Sequence, residues 1–186
     1  MEATSNINDI KDGDILLESG TSFLADEIQQ FEDCKWNHAG WFKWLDGTLF
    51  IVEAIKSGVA LTNFQDYINQ IKAGELSIMV CSPKQPWTDE EMNKATNWAL
   101  PLCGRARYGY INLFLFQPVK YAWKKLFGKE EWIGYTYADQ VRRWICGQLV
   151  MRIYNIGKGY FEKTWISGAP VDIYNSQLFT QKIFKA

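Results

Sequence analysis

The dipeptide Asp46-Gly47 joins two runs of eight residues, "HAGWFKWL" (38–45) and "TLFIVEAI" (48–55). Both runs are rich in β-branched and aromatic side chains. Asp-Gly between them is one of the strongest two-residue hairpin signals, because a type I′ turn needs positive φ at both central residues. A loop of that length leaves one register: Leu45 faces Thr48, Gly40 faces Glu53, and His38 faces Ile55. Residues 38, 40, 53 and 55 then share a face. His38 is the only histidine in the 186 residues. It becomes a diagonal neighbour of Glu53 at about 7–8 Å between backbones, which the two side chains can close, with Gly40 leaving room between them. Glu53 sits inside an apolar run, where a carboxylate is costly unless paired. Such a partner fixes the imidazole tautomer and favours its charged form. A purely structural His–Glu pair satisfies the same register.

Around this hairpin the first half of the chain alternates short apolar runs with turns. "GDILLESG" reads as a strand, "SFLADEIQQFED" as a helix through Phe23, Ile28 and Phe31, and "GVALTNF" and "ELSIMVCS" as two more strands. The segment "QDYINQIKAG" reads as a polar connection between those last two. The period then changes. Thr88 and Glu91 form a capping box before the helical stripe Met92, Ala95, Trp98 and Ala99, which Pro101 and Gly104 end. "CGQLVMRIYNIG" carries a second stripe through Leu149, Val150 and Ile153, with Gly157 as its stop. The aromatic-rich stretch 108–140 between them shows no single period. The expected class is α+β, with a mainly antiparallel sheet and helices packed on it.

Neither a repeat nor a linker divides the chain, and its length suits one domain spanning 1–186. Net charge is -1, which provides no broad basic field, so nucleic acid is not expected as a partner. No run reaches the roughly 20 apolar residues of a membrane-spanning helix. The N-terminus "MEATSNINDIKDGD" lacks the n- and h-regions of a signal peptide. The expectation as written is cytoplasmic, although a processed leader would leave the same sequence.

A His–carboxylate pair becomes catalytic when it activates a nucleophile. Four cysteines, at 34, 81, 103 and 146, are widely spaced and expected free, with no C-x-x-C pair to suggest a metal site. Of these, Cys146 is followed by a small residue and then by an apolar helical stripe. At a helix start beside an imidazolium, a thiol pKa falls from about 8.5 to roughly 3.5–7.5. A continuous helix through "YADQVRRWICGQLV" would instead place Cys146 in its interior. Cys103 precedes a helix-ending Gly, Cys81 ends a strand, and Cys34 lies on the approach to His38. A small core side chain is the ordinary role of such a cysteine.

The ordered set "DGDILLESG", "NHAGWF", "FIVEA" and "WICGQLVMRIY" resembles the circularly permuted papain-like hydrolases of the NlpC superfamily, the YiiX-like amidases. "CGRARYGY" and "APVDIYNSQLF" extend the resemblance to about residues 12–180. In that branch the histidine strand precedes the cysteine helix, as it does here. The resemblance implies a permuted papain-like fold with Cys146 as nucleophile, His38 as general base and acid, and Glu53 as the orienting residue. It matches Tyr108 more weakly to an active-site tyrosine serving the oxyanion or substrate, and Asp14 to a structural position at the first strand. The sequence departs from the family where Gly147-Gln148 stands for a frequent Ser-Glu, and where Gly109 follows Tyr108 instead of an acidic residue.

The implied chemistry is hydrolysis of an amide or ester through a thioacyl-enzyme, with no metal and no organic cofactor. A peptide of cell-wall type or an N-acyl, lipid-linked amide is the expected substrate. Segment 111–127, with Lys120, Lys124 and Lys125 among aromatics, could wall an apolar pocket or touch a membrane surface. Lipid acyltransferase or phospholipase-like chemistry, and a non-catalytic lipid- or peptide-binding module, are the alternative readings.

Overall fold

The structure is a computed structural model, and it describes residues 4–20, 34–110, 126, 143–162 and 168–186. In chain order the strands are β1 (Thr4–Ser5), β2 (Ile15–Gly20), β3 (His38–Leu45), β4 (Thr48–Ile55), β5 (Gly58–Asn63), β6 (Leu76–Pro83), β7 (Arg107–Tyr108), β8 (Arg143–Trp144) and β9 (Phe179–Phe184). The helices are α1 (Phe64–Lys72), α2 (Asp89–Ala99), α3 (Cys146–Lys158) and α4 (Pro170–Tyr174). Seven strands form one sheet in the order β1-β9-β6-β2-β3-β4-β5, antiparallel throughout except for β1 on β9. β7 and β8 make a separate parallel pair.

The hairpin forms as its turn residues demand. Asp46 and Gly47 adopt φ of 48° and 76°, and the ladder runs from Leu45↔Thr48 to Gly40↔Glu53. At its beginning β3 pairs with β2 instead, where His38 lies opposite Glu18.

Because side chains alternate across a sheet, each face collects its own core. Ile15, Leu17, Ala39, Trp41, Val52 and Ala54 pack against Ala95 and Ala99 of α2 and Leu149, Val150 and Ile153 of α3. On the other face Leu16, Phe42, Ile51 and Ile78 meet Phe64, Tyr67 and Ile68 of α1. The sheet is thus sandwiched between α1 and the α2–α3 layer. Glu91 ties that layer together: it accepts from the Thr88 N–H within the capping box and from Lys158 Nζ of α3 at 2.8 Å.

Two sequence expectations change. "QDYINQIKAG" is largely helix α1: Asn63 caps it through the Gln65 N–H at 2.9 Å, and Phe64, Tyr67, Ile68 and Ile71 make its apolar stripe. α3 continues past Gly157 and stops at Gly159, whose φ of 70° supplies the left-handed cap. Gly157 answers to packing, since a Cβ there would stand 2.3 Å from the Trp87 ring. Strands β9 and β1, unread in the sequence, extend the sheet beyond β6. The helix expected within 22–33 lies outside the described residues, as does segment 111–127 apart from Leu126.

Candidate active site

Three elements converge at the start of β3. His38 is its first residue, Glu53 reaches it diagonally from β4, and α3 begins with Cys146. The residues before Cys146 are extended, with Ile145 as N-cap at φ -96° and ψ 160°, so no helix continues through the cysteine. Ile145 brings no side-chain cap to the first-turn N–H groups, and the positive end of the helix dipole lies at the sulfur.

His38 Nε2 donates to Glu53 Oε2 across 2.5 Å. The Cys146 thiol is the imidazole's other hydrogen-bond partner, which leaves Nδ1 as the nitrogen facing sulfur. Burial disfavours the imidazolium, but contact with Cys146 and then with Glu53 outweighs it and holds the His38 pKa well above its ordinary value. Glu53 is 1% exposed. Burial alone would raise its pKa, yet the hydrogen bond and charge of His38, helped by Thr62 and Tyr67, hold it below the usual carboxylate range.

Gly40 has a different neighbour from the one its position suggested. A Cβ there would strike Ile51 Cγ2 at 2.3 Å, while Glu53 Cβ stands at 3.6 Å. The glycine admits the packing of Ile51 beside the carboxylate, and the gap is not filled by the imidazole.

Two further groups were not read from the sequence. Tyr67 of α1 donates its hydroxyl to Glu53 Oε2 at 2.7 Å and also makes a hydrogen-bonding contact with Glu18. Glu18, opposite His38 on β2, is a second carboxyl group at the site. Burial raises its pKa first of all; His38 pulls it down and Glu53 pushes it up, and the net direction is upward. The stripe Phe64, Tyr67, Ile68 and Ile71 was the available signal for Tyr67. Glu18 had none, because β2 and β3 are joined through a long connection that fixes no register.

Tyr108 also reaches the site. It is buried on β7 beside β8, and Gly109 N–H donates to the Trp144 carbonyl at 2.9 Å just ahead of Cys146. Burial, the nearby Cys146 and Tyr110 all raise the Tyr108 pKa, so its phenol stays protonated and able to donate. Two other cysteines are differently placed: burial raises the Cys81 thiol strongly and pushes Cys103 up to about 11.

A family model described as permuted papain-like amidase enzyme, YaeF/YiiX, C92 family, matches residues 9–128. The chain belongs to this family of permuted papain-like amidases. The match takes in His38 and Glu53 and ends before Cys146. Among solved structures, the chain is similar to one titled "Crystal structure of metalloprotein yiiX from Escherichia coli O157:H7", with a TM-score of 0.59 and 14% identity over 92% of this chain and 95% of that one. That likeness extends the permuted papain-like fold beyond residue 128, through the cysteine helix. Comparison with curated proteins gives no match. Among the described residues, no group of three or more His, Cys, Asp or Glu side chains is placed to hold a metal ion.

Membership makes the chain a cysteine-hydrolase type of amidase in general terms. Gly147 is required by packing. A Cβ at this position would stand 2.6 Å from Ala169 Cα and 2.7 Å from the Gly168 carbonyl oxygen, so no side chain fits there unless that backbone shifts.

Proposed function

We propose that the protein hydrolyses an amide bond, or the corresponding ester, through a thioacyl-enzyme on Cys146. The observation that carries this reading is the hydrogen-bonded line from the first residue of α3 through His38 to a buried Glu53. His38 Nδ1 takes the thiol proton, and the thiolate adds to the substrate carbonyl. Glu53 holds Nε2–H and stabilises the imidazolium that forms. The backbone N–H of Cys146 faces the developing oxyanion, a contribution of about 2.7–4 kcal/mol for a well-placed donor. His38 then protonates the leaving amine, the C–N bond breaks, and a water molecule deprotonated by His38 releases the acid and restores the thiol.

Tyr108, protonated and beside Cys146, is suited to orient the carbonyl or the leaving group. The substrate class in this reading is a small peptide or an N-acyl amide of the kind NlpC-type relatives would accept. Contact of 111–127 with a membrane surface belongs to the same proposal for lipid-linked substrates.

Competitive alkylation tests the mechanism. With limiting iodoacetamide at pH 6 and peptide mass spectrometry, Cys146 is expected to label well ahead of Cys34, Cys81 and Cys103, and His38→Ala to abolish that lead. Equal labelling of all four thiols would refute the nucleophile assignment.

A further inference from the structure

The thiol mechanism makes no use of Glu18, although this residue stands directly opposite His38 where β2 pairs with β3. Residues opposite each other on antiparallel strands share a face, with about 4.5–5.5 Å between their Cβ atoms. Glu53 of β4, paired with Gly40, lies on the same face. Tyr67 reaches both carboxyl groups from α1, while β6 on the other flank sets the apolar Ile78 opposite Glu18. Gly20 gives the carboxyl its place: a Cβ there would stand 2.7 Å from Glu18 Oε1.

A count of protons in this cluster decides the state of Glu18. Glu53 accepts from His38 Nε2 and from the Tyr67 hydroxyl at 2.7 Å. The other imidazole nitrogen is turned to Cys146, so neither ring nitrogen is left for Glu18. Tyr67 is a hydrogen-bonding partner of the Glu18 carboxyl, and burial keeps its phenol protonated. A phenol has one proton to give. With that proton on Glu53, the Tyr67 oxygen meets Glu18 as an acceptor, and the proton between them has to come from Glu18. An ionised Glu18 would set a bare carboxylate oxygen against the phenol oxygen, half-buried and close to the charge of Glu53. Burial acts on Glu18 most strongly, and with Glu53 it outweighs the pull of His38 and Tyr67, so the carboxyl keeps its proton above the usual glutamate range.

We infer that Glu18 is a positioning residue of the site: as a neutral carboxylic acid it donates its O–H to the Tyr67 oxygen and so commits the Tyr67 hydroxyl to Glu53. Its catalytic consequence rests on the thiol reading above. Two carboxyl groups then carry one negative charge, and that charge lies on the group that orients His38. A hydroxyl that accepts one hydrogen bond donates the next more strongly, so the relay tightens the hold on Glu53. When Glu18 ionises, its proton passes to water and a second negative charge appears opposite the imidazole, favouring the imidazolium. The ionisable groups facing Glu18 are His38 from β3, Glu53 from β4 and Tyr67 from α1, with Cys146 of α3 across the imidazole.

His38 is the only histidine in the chain, so its ring signal in an NMR titration reports this cluster directly. In the unaltered protein the signal is expected to move in two steps. The smaller comes as Glu18 ionises above the ordinary 4.5, and the larger as the imidazolium loses its proton above the ordinary 6.5. Glu18→Gln keeps an N–H donor for Tyr67 but has no proton to lose, so the smaller step should vanish and the larger should come at lower pH than in the native protein. Gly20→Ala crowds Glu18 Oε1 without removing the carboxyl; it should displace the smaller step, and it decides the matter where the glutamine variant does not fold.

A single step in the native protein, a smaller step that survives in Glu18→Gln, or one that stays in place in Gly20→Ala would overturn the assignment. Alkylation separates this outcome from failure of the thiol reading. If Cys146 labels no faster than the other cysteines, the thiol reading falls, and the His38 titration still decides the state of Glu18.

Discussion

Replacing Glu53 by Gln keeps the shape of the side chain and removes its charge. In the native protein the carboxylate is 1% exposed and accepts from His38 Nε2 at 2.5 Å and from Tyr67 Oη at 2.7 Å. The amide oxygen of Gln can still accept from Tyr67, so the loss falls on the pairing with His38. Breaking a buried ion pair by removing one partner costs about 3–5 kcal/mol. The His38 side chain is 17% exposed, and its access to water places the expected cost near the lower end, about 3 kcal/mol. That loss falls on the imidazolium, so the His38 pKa is lower in the variant than in the native protein.

The pH dependence has a definite sign. His38 has a raised folded pKa, so its stabilisation is complete below the ordinary 6.5 and is lost as pH rises through the folded value. Glu53 has a lowered one, so its stabilisation is complete above the ordinary 4.5 and is lost as pH falls through the folded value. The stability gap between the native protein and E53Q should therefore be widest between pH 4.5 and 6.5 and should narrow on both sides. Urea unfolding across pH 4 to 8 measures the gap, and the pH profile of Cys146 alkylation measures the imidazolium. Equal midpoints at every pH, or an unchanged alkylation profile, would refute the pairing.

Two further substitutions probe the supports of the site. Tyr67→Phe removes one hydrogen bond to a buried carboxylate, and a loss of about 1.5–3 kcal/mol is expected in urea unfolding, with Glu53 shifting toward a higher pKa in a carboxyl-resolved NMR titration. An unshifted Glu53 titration would show that Tyr67 does not hold it. Gly147→Ala drives a methyl against the Gly168–Ala169 backbone and should cost about 1–3 kcal/mol while slowing Cys146 alkylation, because the strain falls on the first turn of α3. A stable variant with native thiol reactivity would mean that α4 moves aside freely.

What the sequence disclosed and what it withheld divide along a physical line. Asp46-Gly47 fixes a local register, and local register was enough to place Glu53 beside His38 across fifteen residues of chain. Thr88 with Glu91, and the apolar stripe after Cys146, are likewise contained within one helix each, so α2 and the body of α3 were legible, while the start of α3 at Cys146 was one of two readings. The approach of Cys146 to His38 is a contact between distant segments: the apolar stripe after Cys146 made it the candidate thiol, and the resemblance to a permuted family paired it with the histidine strand. Glu18 and Tyr67 depend on similarly distant pairings, β2 on β3 and α1 on the sheet, and neither has a turn of fixed length to specify it. The His38–Glu53 pair is thus set by a single hairpin, while the groups that meet it arrive from other elements of the fold.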